Sequence, residues 1–228
     1  NYKFLENWSL KASFATMTQY LHLLTNSGIG LPTDLWVSPT ENIKPQQSWQ
    51  VAGGVSHTLF KNYEISVEGY YKQMSDLITY KEGASFLSAG ESWEEKVLTS
   101  GKGESYGTEF FVQKKKGKFT GWIGYTLSWT YRQFDELNGG KKFAYKYDRR
   151  HDFSIALMYK LGPKVDFSGT WVYGTGNAIT IPESTFTDSN GNILYDYGER
   201  NGSRMPDYHR LDLGINFHKK KKVGEVVW

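Results

Sequence analysis

The chain has 228 residues, a net charge of +3 and no cysteine. Such a balanced charge gives no argument for nucleic-acid binding, and the lack of cysteine excludes disulfide frameworks and thiolate metal sites. Aromatic residues make up 16% of the chain although its mean hydropathy is only -0.56. This combination is typical of proteins that place amphipathic rings at two membrane–water interfaces.

No run of 18 apolar residues occurs, so the sequence predicts no transmembrane helix. The chain opens with NYKFLENWSL, without an initiator methionine or a signal peptide. We therefore expect a processed chain or a piece of a longer one.

Alternation of apolar and polar residues recurs along the whole chain, and a period of two is the signature of β-strands with two different faces. The stretch DFSIALMYKLGPKVDFSGTWVYG contains two such runs around Gly162-Pro163, which predicts a tight antiparallel hairpin. In chain order, strands are predicted at 8–14, 49–59, 65–72, 106–113, 123–132, 153–161, 165–173 and 210–218, with a truncated last strand beginning at GEVVW.

The predicted connections alternate strictly between short and long. Antiparallel strands place successive connections at opposite ends of a sheet, so the short turns share one end and the long loops the other. Outer-membrane barrels have this asymmetry, whereas Greek-key sandwiches seldom do. The short connections are 61–62, 114–118, 162–163 and 219–224, and the long ones are roughly 18–47, 75–103, 133–147 and 175–207.

The predicted strands are also long. A tilted strand needs about 9–11 residues to cross a bilayer, whereas the mean strand of a soluble protein has only about 5–6. We therefore predict an all-β fold, an antiparallel meander of about eight to nine long strands. Its apolar face meets lipid and its small polar face meets a lumen, while tryptophans and tyrosines near strand ends form interfacial girdles.

Motifs that could carry chemistry have simpler structural interpretations. The lysine runs at 114–118 and 219–222 are interpreted as solvated turn lysines near a membrane surface, not as a nucleic-acid site. GKGESYG at 101–107 precedes a strand and not a helix, so it is not a phosphate-binding loop. The five histidines lack ligand spacing, and no Ser-His-Asp order or carboxylate pair stands out. We expect no metal, no cofactor and no enzymatic activity.

YDRRHDF at 147–153 places five ionisable residues just before a strand at the long-loop end. The segment is either a polar rim that meets incoming solute or an ion-pair cluster that fixes the strand entrance. We favour the ion-pair cluster because these charges can neutralise one another. DSNGN at 188–192 and NGG at 138–140 predict turns inside projecting loops.

Three stretches resemble the barrel of TonB-dependent outer-membrane receptors, in its C-terminal part. They are NIKPQQSWQVAGGVSHTLFKNYEISVEGYYKQMSDLITY, GESYGTEFFVQKKKGKFTGWIGYTLSWT and YDRRHDFSIALMYKLGPKVDFSGTWVYGTG. The resemblance implies a barrel of about 22 strands in the cell outer membrane, filled by its own plug domain. It also implies import of a siderophore, cobalamin or oligosaccharide with energy from an inner-membrane coupling protein. This chain contains neither the plug nor the energy-coupling box.

A complete eight-stranded outer-membrane barrel is an alternative, and the residues facing the lumen discriminate between the two. Eight strands leave so narrow a lumen that side chains must fill it. Many inward positions here are small, among them Ala52, Gly54, Ser128 and Ala156. We therefore predict that residues 1–228 form one partial domain of a large transmembrane barrel, with the plug and the remaining strands absent.

Ligand contacts, if this segment makes them, are expected from the long loops and the outer ends of the inward faces, because a solute would arrive there. A soluble β-rich carbohydrate-binding module that uses Trp36, Trp93 and Tyr145 is the non-membrane alternative. For each candidate, a purely structural role in ordering the loops is an equal alternative. The candidate ligand-binding residues are Trp36, Tyr80, Trp93, Arg132, Tyr145 and Arg204.

Overall fold

The computed structural model describes residues 2–24, 35–81, 84, 92–220 and 225–227. Within them the chain forms strands and a single 3₁₀ turn at Asn138–Gly140, which confirms the all-β prediction. The eight long strands are β2 (Trp8–Gln19), β5 (Gln46–Leu59), β6 (Tyr63–Tyr80), β7 (Val97–Lys114), β8 (Phe119–Gln133), β10 (His151–Gly162), β11 (Val165–Gly174) and β16 (Tyr208–Lys220). The short strands are β1 (Tyr2–Leu5), β3 (His22–Leu24), β4 (Leu35–Val37), β9 (Phe143–Ala144), β12 (Ala178–Ile179), β13 (Pro182–Thr187), β14 (Ile193–Tyr197), β15 (Ser203–Arg204) and β17 (Glu225–Val227).

The long strands form one antiparallel meander. Each pairs with the next long strand along the chain, in the order β2-β5-β6-β7-β8-β10-β11-β16, and β1 and β17 extend the two flanks. The strand β17 lies in the predicted GEVVW segment. The predicted meander of eight to nine strands is therefore confirmed.

An eight-stranded ring would require β2 to pair with β16. Instead, β2 pairs with β1 and β5, and β16 pairs with β11 and β17. The alternative of a small barrel closed by these eight strands is therefore wrong. Over the described residues the sheet is therefore open.

Short and long connections lie at opposite ends of the sheet, as predicted. The described short turns are 6–7, 60–62, 115–118 and 163–164, whereas the predicted turn at 219–224 falls largely outside the described residues. The long connections contain the hairpins β3–β4 and β13–β14. At the NGG turn, Asn138, Gly139 and Gly140 have φ values of 54°, 62° and 73°, the left-handed region that asparagine and glycine tolerate.

The loop predicted at 75–103 is shorter than expected, because β6 continues to Tyr80 and β7 begins at Val97. The pairing of these strands shifts register between Met74 and Leu77, and Asp76 has a φ of 55°. An irregularity of this kind interrupts the apolar–polar alternation while the ladder continues. A reading based on periodicity therefore ends the strand too early.

The outward face of the sheet is apolar and uncovered. Directly opposed residues form transverse rows, and one row runs through Val67, Phe110, Tyr125, Phe153 and Tyr173. On the flanking strands Leu213 is 80% exposed and Phe14 is 67% exposed. The buried apolar residues of the described chain lie instead at the long-loop end. A sheet without a core on its apolar face requires an apolar solvent, whereas its loops carry the packed core. The described residues include no helix long and apolar enough to cross a membrane.

Aromatic rings form a belt on this face near the long-loop end. Ring centroids lie 5.5 Å apart for Trp49 and Tyr71, 6.5 Å apart for Tyr71 and Tyr106, and 5.3 Å apart for Tyr106 and Trp129. Such a belt of amphipathic rings is typical of the membrane interface of a transmembrane barrel.

The opposite face is polar and carries small residues. Lys11 Nζ lies 2.8 Å from Glu68 Oε1, and the hydroxyls of Ser105 and Thr130 are 2.9 Å apart. The first pair spans from β2 to β6 across β5, and the second joins the neighbours β7 and β8. Because these polar groups satisfy one another, this face suits a wet lumen.

Candidate functional site

The long-loop end contains two packed clusters that position most of the candidate residues. The first cluster joins β3, β4 and the outer ends of β6 and β7. Its buried members are Leu24, Val37, Ile43, Ile78, Tyr80 and Val97, and Leu35, Ala84 and Trp93 pack against it. Tyr80 is only 4% exposed. Tyr80 and Trp93 are therefore parts of a loop core, whereas Trp36 on β4 is 60% exposed.

His22 is fully buried beside this first cluster. Its Nδ1 lies 3.0 Å from Gln46 Nε2, which can donate a hydrogen bond to it. Burial lowers the pKa of His22 below the ordinary value, against a smaller opposite effect from the backbone of Lys44. The neutral imidazole is therefore the form that fits this site.

We expect the β3–β4 hairpin to lose stability as the pH falls. Because the folded-state pKa of His22 is lowered, the unfolded segment binds more protons below about pH 6.5, so stability is lost from there down through the folded pKa. Hydrogen exchange at Leu23 and Leu24, corrected for the intrinsic rate, should be less protected at pH 5 than at pH 7. His22→Asn, which keeps an acceptor but does not titrate, should lack this difference. Equal pH dependence in both proteins would contradict the assignment.

The second cluster lies under the loop between β8 and β10. It consists of Leu77, Leu98, Phe134, Leu137 and Phe143, with Met74 packed against it. Phe143 is paired with Arg132 through the short strand β9. This cluster fixes the base of the loop that carries Tyr145.

Arg132 and Tyr145 form a stacked pair. The Arg132 guanidinium carbon lies 3.7 Å from the centroid of the Tyr145 ring, and Tyr147 meets that ring edge-on at 5.3 Å. Burial raises the pKa of the Tyr145 hydroxyl, and the positive charge of Arg132 opposes this shift. A guanidinium this close to the face of an aromatic ring is attracted by the ring electrostatically.

Arg204 belongs to an ion-pair hub around the buried carboxylate of Asp148. One Asp148 oxygen accepts hydrogen bonds from Arg204 Nη2 and from Arg150 Nη2 at 3.3 Å. The other accepts from the backbone N–H of Thr130 at 2.6 Å. Arg204 Nη1 also donates to the carbonyls of Asp148 and Gly176, at 2.9 and 3.1 Å. Arg204 thus ties the 175–207 loop to the entrance of β10.

The hub and the stacked pair are continuous. The backbone N–H of Asp148 donates to the carbonyl of Tyr145 at 2.7 Å, and that of Tyr145 donates to Thr130 at 2.9 Å. Arg204 and Tyr145 therefore both contact Asp148, and Arg132 joins them through its stack on Tyr145. Tyr80 and Trp93 belong to the first cluster, and Trp36 lies on the adjacent strand β4.

The ion-pair interpretation of YDRRHDF agrees with the structure. Arg150 contacts Asp148, and Arg149 Nη1 lies 2.9 Å from Asp152. Sequence reasoning missed that Asp148 is the buried centre and that Arg204 completes it from 56 residues away. No local signal joins two residues so far apart in the chain.

The two long loops at this end also bind each other directly. Asn201 Nδ2 donates to the carbonyl of Ala144 at 2.8 Å. The backbone N–H of Arg200 donates to Asn138 Oδ1 at 3.2 Å, and the Arg200 guanidinium carbon lies 5.5 Å from the Phe143 ring. The loops after β8 and β11 therefore form one surface.

Replacing Asp148 by Asn should loosen the 175–207 loop. Removing one partner of a buried pair costs about 3–5 kcal/mol. Because the Arg204 side chain is 35% exposed and water can solvate it, we expect about 2 kcal/mol. Faster proteolysis or hydrogen exchange within 175–207 would measure the change. Asp152→Asn, which breaks an exposed pair, is the matched control and should cost below about 1 kcal/mol. Equal effects in the two variants would argue against the hub.

Among the described residues, no group of three or more His, Cys, Asp or Glu side chains is placed to hold a metal ion. The site is instead built from aromatic rings, guanidinium groups and loop backbone. Groups of these kinds are typical of sites that fix the orientation of a bound solute.

Three solved structures have similar folds. The ferric-catecholate import receptor Fiu from E. coli K12 superposes with a TM-score of 0.59 at 14% identity, over 95% of this chain and 27% of that one. The FrpB iron transporter from Neisseria meningitidis gives 0.57 at 14% identity, over 98% and 31%. The ferripyoverdine receptor of the Pseudomonas aeruginosa outer membrane, bound to ferripyoverdine, gives 0.57 at 15% identity, over 95% and 26%. The chain thus spans roughly a quarter to a third of these proteins.

No curated protein sequence matches the chain significantly. The family described as TonB dependent receptor-like, beta-barrel matches residues 1–224, nearly the whole chain. Its members are outer-membrane proteins, so the alternative of a soluble carbohydrate-binding module is wrong. With its meander of long strands, its uncovered apolar face and its one-sided loops, the chain belongs to the β-barrel family of TonB-dependent outer-membrane receptors.

Proposed function

We propose that this chain supplies barrel strands and extracellular loops to a receptor that takes up a bulky nutrient across the outer membrane. The observation that carries the proposal is the family match over residues 1–224. The long-loop end supports it, because the packed loops form a continuous surface where a solute from outside would arrive.

The proposed partners follow from the same assignment. They are membrane lipid around the barrel, a plug domain of the same parent protein, an inner-membrane protein that couples energy, and a nutrient ligand. The nutrient is a siderophore, cobalamin or an oligosaccharide. Ferric siderophores are the first class to test, because similar structures include a ferric-catecholate import receptor and a ferripyoverdine receptor.

Within the loop surface we propose two kinds of contribution. Trp36 is the candidate best placed to touch a ligand, because its ring is exposed beside a packed cluster. Arg132 and Tyr145 offer a cation and a ring in one stacked unit, which suits an anionic or aromatic ligand. Tyr80, Trp93 and Arg204 act on ligand through the shape of the loops, since each is engaged in packing or in the Asp148 hub.

The test is uptake by the full-length parent protein in a host that lacks its own receptors for the nutrient. Labelled ferric siderophores, cobalamin and oligosaccharides would be offered with and without a protonophore. Energy-dependent uptake of one class is expected, and Trp36→Ala should lower it without changing the amount of protein in the membrane. Phe60→Ala, at an exposed ring of the short-turn end, is the matched control. Failure to accumulate any of the three classes would reject the proposal.

A further inference from the structure

The short-turn end of the sheet carries an unusual density of exposed lysines. Besides Lys115, which pairs with Glu64, the described turns and strand ends there contribute six exposed lysine side chains, which we call the turn-end lysines. They are Lys61, Lys116, Lys118, Lys160, Lys164 and Lys219. Each lies within or next to a short connection or at the end of a long strand.

Four carboxylates of the described residues lie near these lysines. Glu64 is paired with Lys115, and Asp166 is buried against His218, whose Nε2 lies 2.8 Å away. Glu6 lies in the turn between β1 and β2, and Glu225 faces Lys220 across the β16–β17 ladder. The lysines outnumber these acids. The long-loop end is different, since its cations are interleaved with acids such as Asp148 and Asp152. The basic character is therefore confined to one end of the sheet.

Backbone hydrogen bonds join the turns into one continuous rim. The N–H of Lys115 donates to Asn62 at 2.9 Å, that of Lys160 to Lys118 at 2.7 Å, and that of His218 to Lys164 at 2.8 Å. Lysines that are distant in sequence thus stand side by side across neighbouring strands. Their charges act on the same region of the surroundings.

The rim borders the apolar face at the short-turn end of the sheet. Phe60 is 83% exposed, and Leu161 and Phe217 are 57% and 55% exposed. Lys114 Nζ lies 5.2 Å from the ring centroid of Tyr63 and 6.0 Å from that of Phe119, so a lysine charge is held against aromatic rings at this edge. Cations at this level of a membrane protein meet lipid headgroups.

We propose that the turn-end lysines bind anionic phospholipid headgroups in the leaflet at the short-turn end of the barrel. The adjacent exposed apolar side chains favour lipid over a soluble anionic partner, because they occupy the acyl boundary while the ammonium groups reach the phosphates. The function is selection of an anionic lipid annulus that holds the barrel at a set depth. This inference rests on the outer-membrane location and not on the proposed nutrient uptake, so either can fail without the other.

The test uses the full-length parent protein in lipid nanodiscs that contain phosphatidylglycerol and phosphatidylcholine. The association of a spin-labelled lipid of each kind with the protein surface would be compared. A preference for phosphatidylglycerol is expected, with a several-fold loss in the triple variant Lys61→Gln, Lys116→Gln, Lys164→Gln. Raising the salt concentration should weaken the preference in the native protein, since exposed charges are screened.

The matched control removes the same charge from the other end, with Lys81→Gln, Lys102→Gln and Lys141→Gln. These lysines are also exposed, but they lie at the long-loop end. This variant should keep most of the preference. An unchanged preference in the turn-end variant, or an equal loss in both variants, would overturn the proposal. Retained folding is checked in each variant by heat-dependent mobility on gels.

Discussion

A polypeptide that consists of residues 1–228 alone is expected not to insert into a bilayer as a monomer. Strand β1 covers only the start of β2, and β17 covers only the end of β16. In the described structure no strand pairs with the remaining edge of β2 at Lys11–Gln19 or of β16 at Tyr208–Phe217. Each unpaired backbone group costs several kcal/mol in lipid. The sum over two edges reaches tens of kcal/mol, more than the ~5–15 kcal/mol net stability of a typical domain.

Two quantities would be measured for the refolded segment in detergent and in vesicles. The first is the mass of the particle, and the second is the protection of its backbone amides from hydrogen exchange. We expect association through the open edges or failure to insert, whereas the full-length parent should insert as a monomer. Hydrogen exchange at Lys11–Gln19 reports directly on the open edge. A monomeric, inserted segment with these amides fully protected would contradict the open-sheet arrangement.

Replacing Phe134 by Ala should produce the largest effect of any single substitution in the loops. Phe134 is 2% exposed and packs with Leu77, Leu98, Leu137 and Phe143. A Cβ placed on Gly101 would lie only 2.8 Å from Phe134 Cδ1 and closer still to the ring's outer carbons, so the ring fills its site tightly. Removal of a buried phenylalanine ring costs about 3–5 kcal/mol. The loop after β8 should therefore open far more often.

Native-state hydrogen exchange at Leu98 and Leu137 in the full-length parent measures this opening. Phe186→Ala is the control, since Phe186 is an exposed ring on β13 and its loss should change stability by less than about 0.5 kcal/mol. Gly101→Ala offers a second check, because it overfills the same site and should also reduce protection. If Phe134→Ala leaves exchange at both leucines unchanged, the cluster does not stabilise the loop.

The local pattern was enough to predict the strands and their order. Side chains alternate between the two faces of a strand whatever the strand packs against. The run from Phe153 to Leu161 therefore predicts a strand with one apolar and one polar face, although its neighbouring strands are unknown. Gly162 and Pro163 similarly predict a turn, because their local backbone preferences favour one. In an antiparallel meander, successive connections lie at alternate ends of the sheet. The strict alternation of short and long connections therefore predicts this topology.

The loops were decided by tertiary structure. Strand β6 continues past the irregularity near Asp76 as far as Tyr80, whose ring is buried. The residue types between 75 and 103 predict a loop there instead. The residue types around Arg204 do not predict its contact with the carboxylate of Asp148. Whether a loop aromatic is exposed like Trp36 or buried like Tyr80 depends on which distant segments fold over it. The sequence by itself therefore determined the faces, turns and topology of the sheet, because these follow from periods of a few residues. Contacts between loops were decided only in the folded chain, because they join side chains separated by tens of residues.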